Sequence, residues 1–165
     1  MIKNIVWTVI LCTVATILES TLLVKIAIFK GVVPDLALCI LVYSAFVNGT
    51  MTGQVSGFFS GLARDFLSGA PLGLNCLVRT LIGALAGIFK GAFFLDFFLI
   101  PVILCTLATI AKALIYFVLS LIIVTVPVYS LTSPIFWIEA GLNAISSPLL
   151  FLLLKKFKYI SPGRR

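Results

Sequence analysis

Long apolar runs alternate along the chain with short polar breaks, and the runs have the length of membrane helices rather than of strands. A helix needs about 20 mostly apolar residues to cross a hydrocarbon core of about 30 Å. Residues 5–24, 34–50, 52–69, 74–92, 97–126 and 134–154 meet or approach that length. The breaks contain residues that end helices: Lys25 and Lys30 with Gly31, the turn Asn48-Gly49-Thr50, and the segment Gly69-Ala70-Pro71-Leu72-Gly73. The last two breaks run from Lys90 to Asp96 and from Pro127 to Pro134. Pro34 and Pro134 are each expected at a helix start, where a missing N–H costs nothing. The pattern predicts an all-α integral membrane protein. It forms a single domain of six transmembrane helices with a short basic tail over 155–165.

Composition agrees. Of 165 residues, 62% are hydrophobic and 10% charged, and mean hydropathy is +1.27. Soluble domains carry about 25% charged and 45–50% apolar residues. A soluble enzyme, a disordered region and a nucleic-acid-binding domain are therefore excluded, and lipid is the expected solvent. The formal charge of +7 is concentrated at the end, with five of twelve basic residues in the last eleven positions. That is the pattern of a cytoplasmic anchor. Six spans with the N-terminus inside put Lys3, Lys90, Lys155, Lys156, Lys158, Arg164 and Arg165 on the cytoplasmic side, against Lys25 and Lys30 outside. The expected orientation is N-in, C-in, with the first helix uncleaved because no A-x-A-like site follows it.

Chemistry is sparse. Histidine is absent, which removes the usual general base and the commonest metal ligand. Cys12, Cys39, Cys76 and Cys105 are scattered in apolar stretches without C-x-x-C spacing and read as small buried hydrophobes. No Ser-His dyad, G-x-S-x-G motif or carboxylate pair on one helix face is present, so neither catalysis nor a cofactor or metal is expected.

Charged side chains inside spans cost about 2.5–3.5 kcal/mol each at a helix centre unless paired. Glu19, Arg64, Asp65, Arg79, Lys112 and Glu139 lie within spans, and Asp35 opens one. On the topology above these converge on the outer half, with Lys112 at mid-depth. Gly53, Gly57, Gly61, Asp65 and Gly69 follow one another every four residues, as do Asn75, Arg79, Gly83, Gly87 and Gly91. Such stripes let two antiparallel backbones approach closely. Asp65 and Arg79 are expected to pair across this interface, supported by Arg64 or Asn75. Glu139, Asn143 and Ser147 form a further ladder ahead of Pro148. Lys112 has no partner evident in sequence; Glu139, a carbonyl or a neighbouring protein are the alternatives. Glu19 also admits a purely interfacial reading, within reach of Lys25. These polar residues either fix helix packing or line a cavity that faces a ligand or partner.

Pro34-Asp35-Leu36, the glycine ladder, and the run from Gly61 through Arg64-Asp65-Phe66-Leu67-Ser68-Gly69-Ala70-Pro71-Leu72-Gly73-Leu74-Asn75 resemble the rod shape-determining protein MreD family. Asn143 with Pro148-Leu149-Leu150-Phe151 matches its closing helix, and Arg64 departs from the apolar residue usual before the aspartate. The resemblance implies a non-enzymatic subunit of the bacterial elongation machinery in the cell inner membrane. It implies an MreC-like membrane-anchored partner and work beside the MreB filament, a RodA-type glycosyltransferase and a class B penicillin-binding protein. It also implies a helical fold similar to the substrate-binding subunits of energy-coupling-factor transporters.

Two functions follow. A scaffold docks other membrane proteins through its exposed helix faces. A solute-binding transport subunit instead opens a cavity lined by Asp35, Asp65, Arg79 and Glu139. The first span lacks the alanine ladder such subunits use for docking, since Glu19 follows Ala15 four residues later. The scaffold is the favoured reading.

Overall fold

The computed structural model describes residues 2–23, 25, 32–69, 71–91, 99–123, 126 and 132–157. The breaks at Lys30-Gly31, Asp96 and Pro127, and the basic residues Lys158, Arg164 and Arg165, lie outside the described residues.

Among the described residues there are six α-helices. Helix α1, Ile2–Leu18, continues into a π-helical segment, Glu19–Leu23. It is followed by α2, Leu36–Asn48; α3, Thr50–Ser68; α4, Leu74–Ile88; α5, Leu99–Ile122; and α6, Pro134–Lys156. Among the described residues, three stretches are long and apolar enough to cross a membrane: Ile2–Leu23, Leu99–Ile122 and Pro134–Lys156. Many large apolar side chains remain exposed, among them Val6, Ile10 and Val14 on α1 and Ile103, Leu107 and Leu114 on α5. An outer surface of that kind is suited to acyl chains rather than water. This is a membrane protein.

Helix α2 forms the axis. Every residue from Ala37 to Phe46 is buried, and α2 touches each of the other five helices. Its start is Asp35, not Pro34: the Asp35 carboxylate accepts from Leu38 N at 3.0 Å as an N-cap, leaving the proline one residue outside the helix. Its end is abrupt. Gly49 alone separates α2 from α3, at φ +100°, a value that L side chains rarely adopt.

The closest pair is α3 with α4. A β-carbon at Gly53 would strike the Gly83 carbonyl, one at Gly57 the Arg79 carbonyl, and one at Gly61 the backbone of Asn75 and Cys76. Gly87 lies likewise against Thr50. Backbone meets backbone over the whole stripe, so the glycines are required by contact. Gly91 is a correction to the expected stripe. Helix α4 ends at Ile88, and Gly91 follows in a turn at φ +75° with no heavy atom near its missing side chain.

Helix α6 begins with Pro134 at its first position, capped by the Ser133 hydroxyl, and carries Pro148 in its interior. Proline withholds the N–H that would satisfy the Ala144 carbonyl. The Ser147 hydroxyl donates to that carbonyl at 2.9 Å instead.

Candidate functional site

One end of the bundle gathers the end of α1, the start of α2, the end of α3, the start of α4 and the facing parts of α5 and α6. Asp35 is its centre. Its Oδ1 accepts from Arg79 Nη2 at 3.0 Å and lies 3.5 Å from Arg64 Nη1; its Oδ2 accepts from Lys112 Nζ at 2.9 Å. Cations from α3, α4 and α5 thus meet one carboxylate at the start of α2. Two further carboxylates complete the chain. Arg64 Nη1 donates to Glu19 Oε2 at 2.9 Å, and Lys112 Nζ to Glu139 Oε1 at 2.6 Å.

The reason for this convergence is electrostatic. Glu19, Asp35, Arg79, Lys112 and Glu139 are all buried, and an unpaired charge in such surroundings costs several kcal/mol. Three carboxylates and three cations cancel within one network. The start of α2 adds its own field: Glu19 Oε1 accepts from Ala37 N at 2.8 Å, so two carboxylates face the positive end of this helix. Asn143 anchors the same turn from α6. Its Oδ1 accepts from Asp35 N at 2.7 Å, and its Nδ2 donates to Thr109 Oγ1 at 3.0 Å.

Asp65 does not pair with Arg79, which corrects the sequence expectation. It accepts instead from Gly73 N (2.9 Å), Asn75 N (2.9 Å), Asn75 Nδ2 (2.8 Å) and Cys76 N (3.2 Å). The register explains the difference. Gly57 sits opposite Arg79 and Gly61 opposite Asn75, so Asp65, one turn beyond Gly61, faces the connection that leads into α4. Along α3, Asp65 lies eight residues past Gly57, about 12 Å at the helical rise. From there its carboxylate meets the free amides that open α4 and caps them from the preceding helix. Tyr116 joins this cap to α5, its hydroxyl donating to Asn75 Oδ1 at 2.7 Å.

Of the residues singled out in the sequence, Asp35, Arg64, Arg79, Lys112, Glu139 and Asn143 form one network, and Asp65 with Asn75 forms a second beside it. Three members reach the site beyond that set: Glu19, which also carried an interfacial reading, and Thr109 and Tyr116, which the pattern did not single out. A signal for two of them was present, because Thr109, Lys112 and Tyr116 are spaced by three and four and share a helix face. Two buried polar atoms, Arg79 Nη1 and Ser56 Oγ, have no hydrogen-bond partner among the described residues.

Chemically, the network is a set of charges holding helices, with no nucleophile activated by a base. Among the described residues no group of His, Cys, Asp and Glu is placed to hold a metal ion, and the four cysteines are buried free thiols. A family model described as rod shape-determining protein MreD matches residues 1–157, nearly the whole chain. No curated protein and no solved structure matches it.

Proposed function

We propose that this chain, which belongs to the rod shape-determining protein MreD family, is a non-catalytic scaffold subunit of the bacterial cell-elongation machinery. Family membership carries the role in rod shape determination. The finer reading is a multi-pass inner-membrane protein of six spans, N-in and C-in, with a fold akin to the substrate-binding subunits of energy-coupling-factor transporters. It docks an MreC-like membrane-anchored protein and works beside a RodA-type glycosyltransferase, a class B penicillin-binding protein and the MreB filament.

The observation that carries the scaffold reading is the coordination of Asp35 by Arg64, Arg79 and Lys112. A solute-binding subunit needs its polar groups turned toward a ligand. Here Asp35, Arg79 and Glu139 are buried and bonded within the network, and Asp65 is bonded to backbone amides. Their role is to lock the helices, so the exposed helix faces remain as the surface for partners.

Co-expression with the MreC-like protein of the same genome, followed by affinity purification in mild detergent, tests the reading. The expected result is stoichiometric co-purification, with none for an unrelated single-span protein. Deleting the gene is expected to round the cells. Failure of both, or saturable binding of a small polar solute, would overturn the scaffold.

A further inference from the structure

Arg64 uses only one edge of its guanidinium. Nη1 reaches Glu19 and Asp35, while Nε and Nη2 meet no acceptor among the described residues. The side chain is 26% exposed. With Thr16, Glu19, Ser20, Val33, Leu67 and Ser68 it walls a partly open cavity of about 160 Å³ between α1 and α3.

Three further polar groups of the wall accept rather than donate. The Thr16 hydroxyl donates to Cys12 O and the Ser20 hydroxyl to Ile17 O, so both offer lone pairs to the cavity. Glu19 adds a carboxylate. The cavity therefore pairs one planar, cationic donor edge with a group of acceptors. Its depth is defined as well. Arg64 lies four residues before the end of α3 at Ser68, about 6 Å from that helix end. On the six-span reading proposed above, that is the level at which headgroups meet acyl chains.

A simple anion matches the arginine edge but meets the Glu19 carboxylate. A phosphate with an ammonium two carbons away satisfies both: the phosphate takes the Nε–Nη2 fork, which suits bidentate oxyanion binding, and the ammonium donates to Glu19 and the hydroxyls. A trimethylated ammonium has no N–H to give. We propose that this cavity binds the phosphoethanolamine headgroup of a membrane lipid, with Arg64 and Glu19 as its two contacts.

The full chain is reconstituted in nanodiscs of equimolar phosphatidylethanolamine, phosphatidylcholine and phosphatidylglycerol, and lipids released with the protein are counted by native mass spectrometry. Wild type is expected to retain phosphatidylethanolamine roughly tenfold over either other lipid, the effect of one charge-assisted hydrogen bond. Arg64→Gln is expected to remove retention of all three above background. Glu19→Gln, which keeps an acceptor for Ala37 N, is expected to abolish the preference over phosphatidylcholine. Soluble phosphoethanolamine is expected not to displace the lipid at matched concentration; displacement would assign the site to a free phosphate ester and overturn the lipid assignment. Equal retention of the three lipids by wild type, or phosphatidylglycerol held as well as phosphatidylethanolamine, overturns the proposal whether or not the variants fold. Either result leaves partner docking untouched.

Discussion

Two aspartates at the same end of the bundle are equally inaccessible, Asp35 at 3% exposure and Asp65 at 2%, yet they do different work. Asp35 faces Arg64, Arg79 and Lys112. Asp65 faces backbone amides of Gly73, Asn75 and Cys76. The first needs its negative charge, because three cations from three helices meet on it and only Glu19 and Glu139 share in balancing them. The second needs its oxygens, because the opening amides of a helix require acceptors and carry only partial charge. Burial alone does not distinguish the two; the neighbours do.

The sharpest test exploits that difference. Asp35→Ala strands buried cations and is expected to cost about 3–5 kcal/mol, read as loss of monodisperse protein in size-exclusion and a lower thermal midpoint. Asp35→Asn is expected to be nearly as harmful, since it supplies an acceptor without a charge. Gly57→Val drives a branched side chain into the Arg79 backbone and disturbs the register that keeps the two aspartates apart. Overpacking of this kind costs about 1–3 kcal/mol, and urea-induced unfolding in detergent measures it. Asp65→Ala uncaps α4, at about 0.5–2 kcal/mol, while Asp65→Asn is expected to recover most of that loss in the same assay. Equal damage from the two asparagine variants would collapse the comparison. Smallest is Tyr116→Phe, which deletes one hydrogen bond to Asn75 and is expected to cost about 0.5–1.5 kcal/mol in thermal unfolding.

Much of the bundle was legible because apolar helices announce themselves by their runs and breaks, although only three are long and apolar enough to cross a membrane among the described residues. Each of the six expected segments carries one helix, and Gly53, Gly57, Gly61, Gly83 and Gly87 mark a contact that no other residue permits. What sequence did not supply was register. Stripes on α3 and α4 said that the helices meet, but not that Gly57 stands opposite Arg79, and that offset sends Arg79 to Asp35 and Asp65 to the amides. Glu19 was obscured for another reason. Its position near the end of α1 suits an interfacial residue equally well, and only the approach of α2 and Arg64 turns it inward. Gly91 shows the limit of periodicity, since it keeps the spacing after the helix has ended.

Helix α2 has 13 residues, about 20 Å of rise, against a hydrocarbon core of about 30 Å. Enclosed by protein on all sides, it has almost no face of its own for lipid. Such a segment is poorly suited to enter a bilayer alone. Joined to α3 by Gly49, it has its full surroundings only once α5 and α6 have packed against it. A helix this short owes its place to the protein around it rather than to lipid.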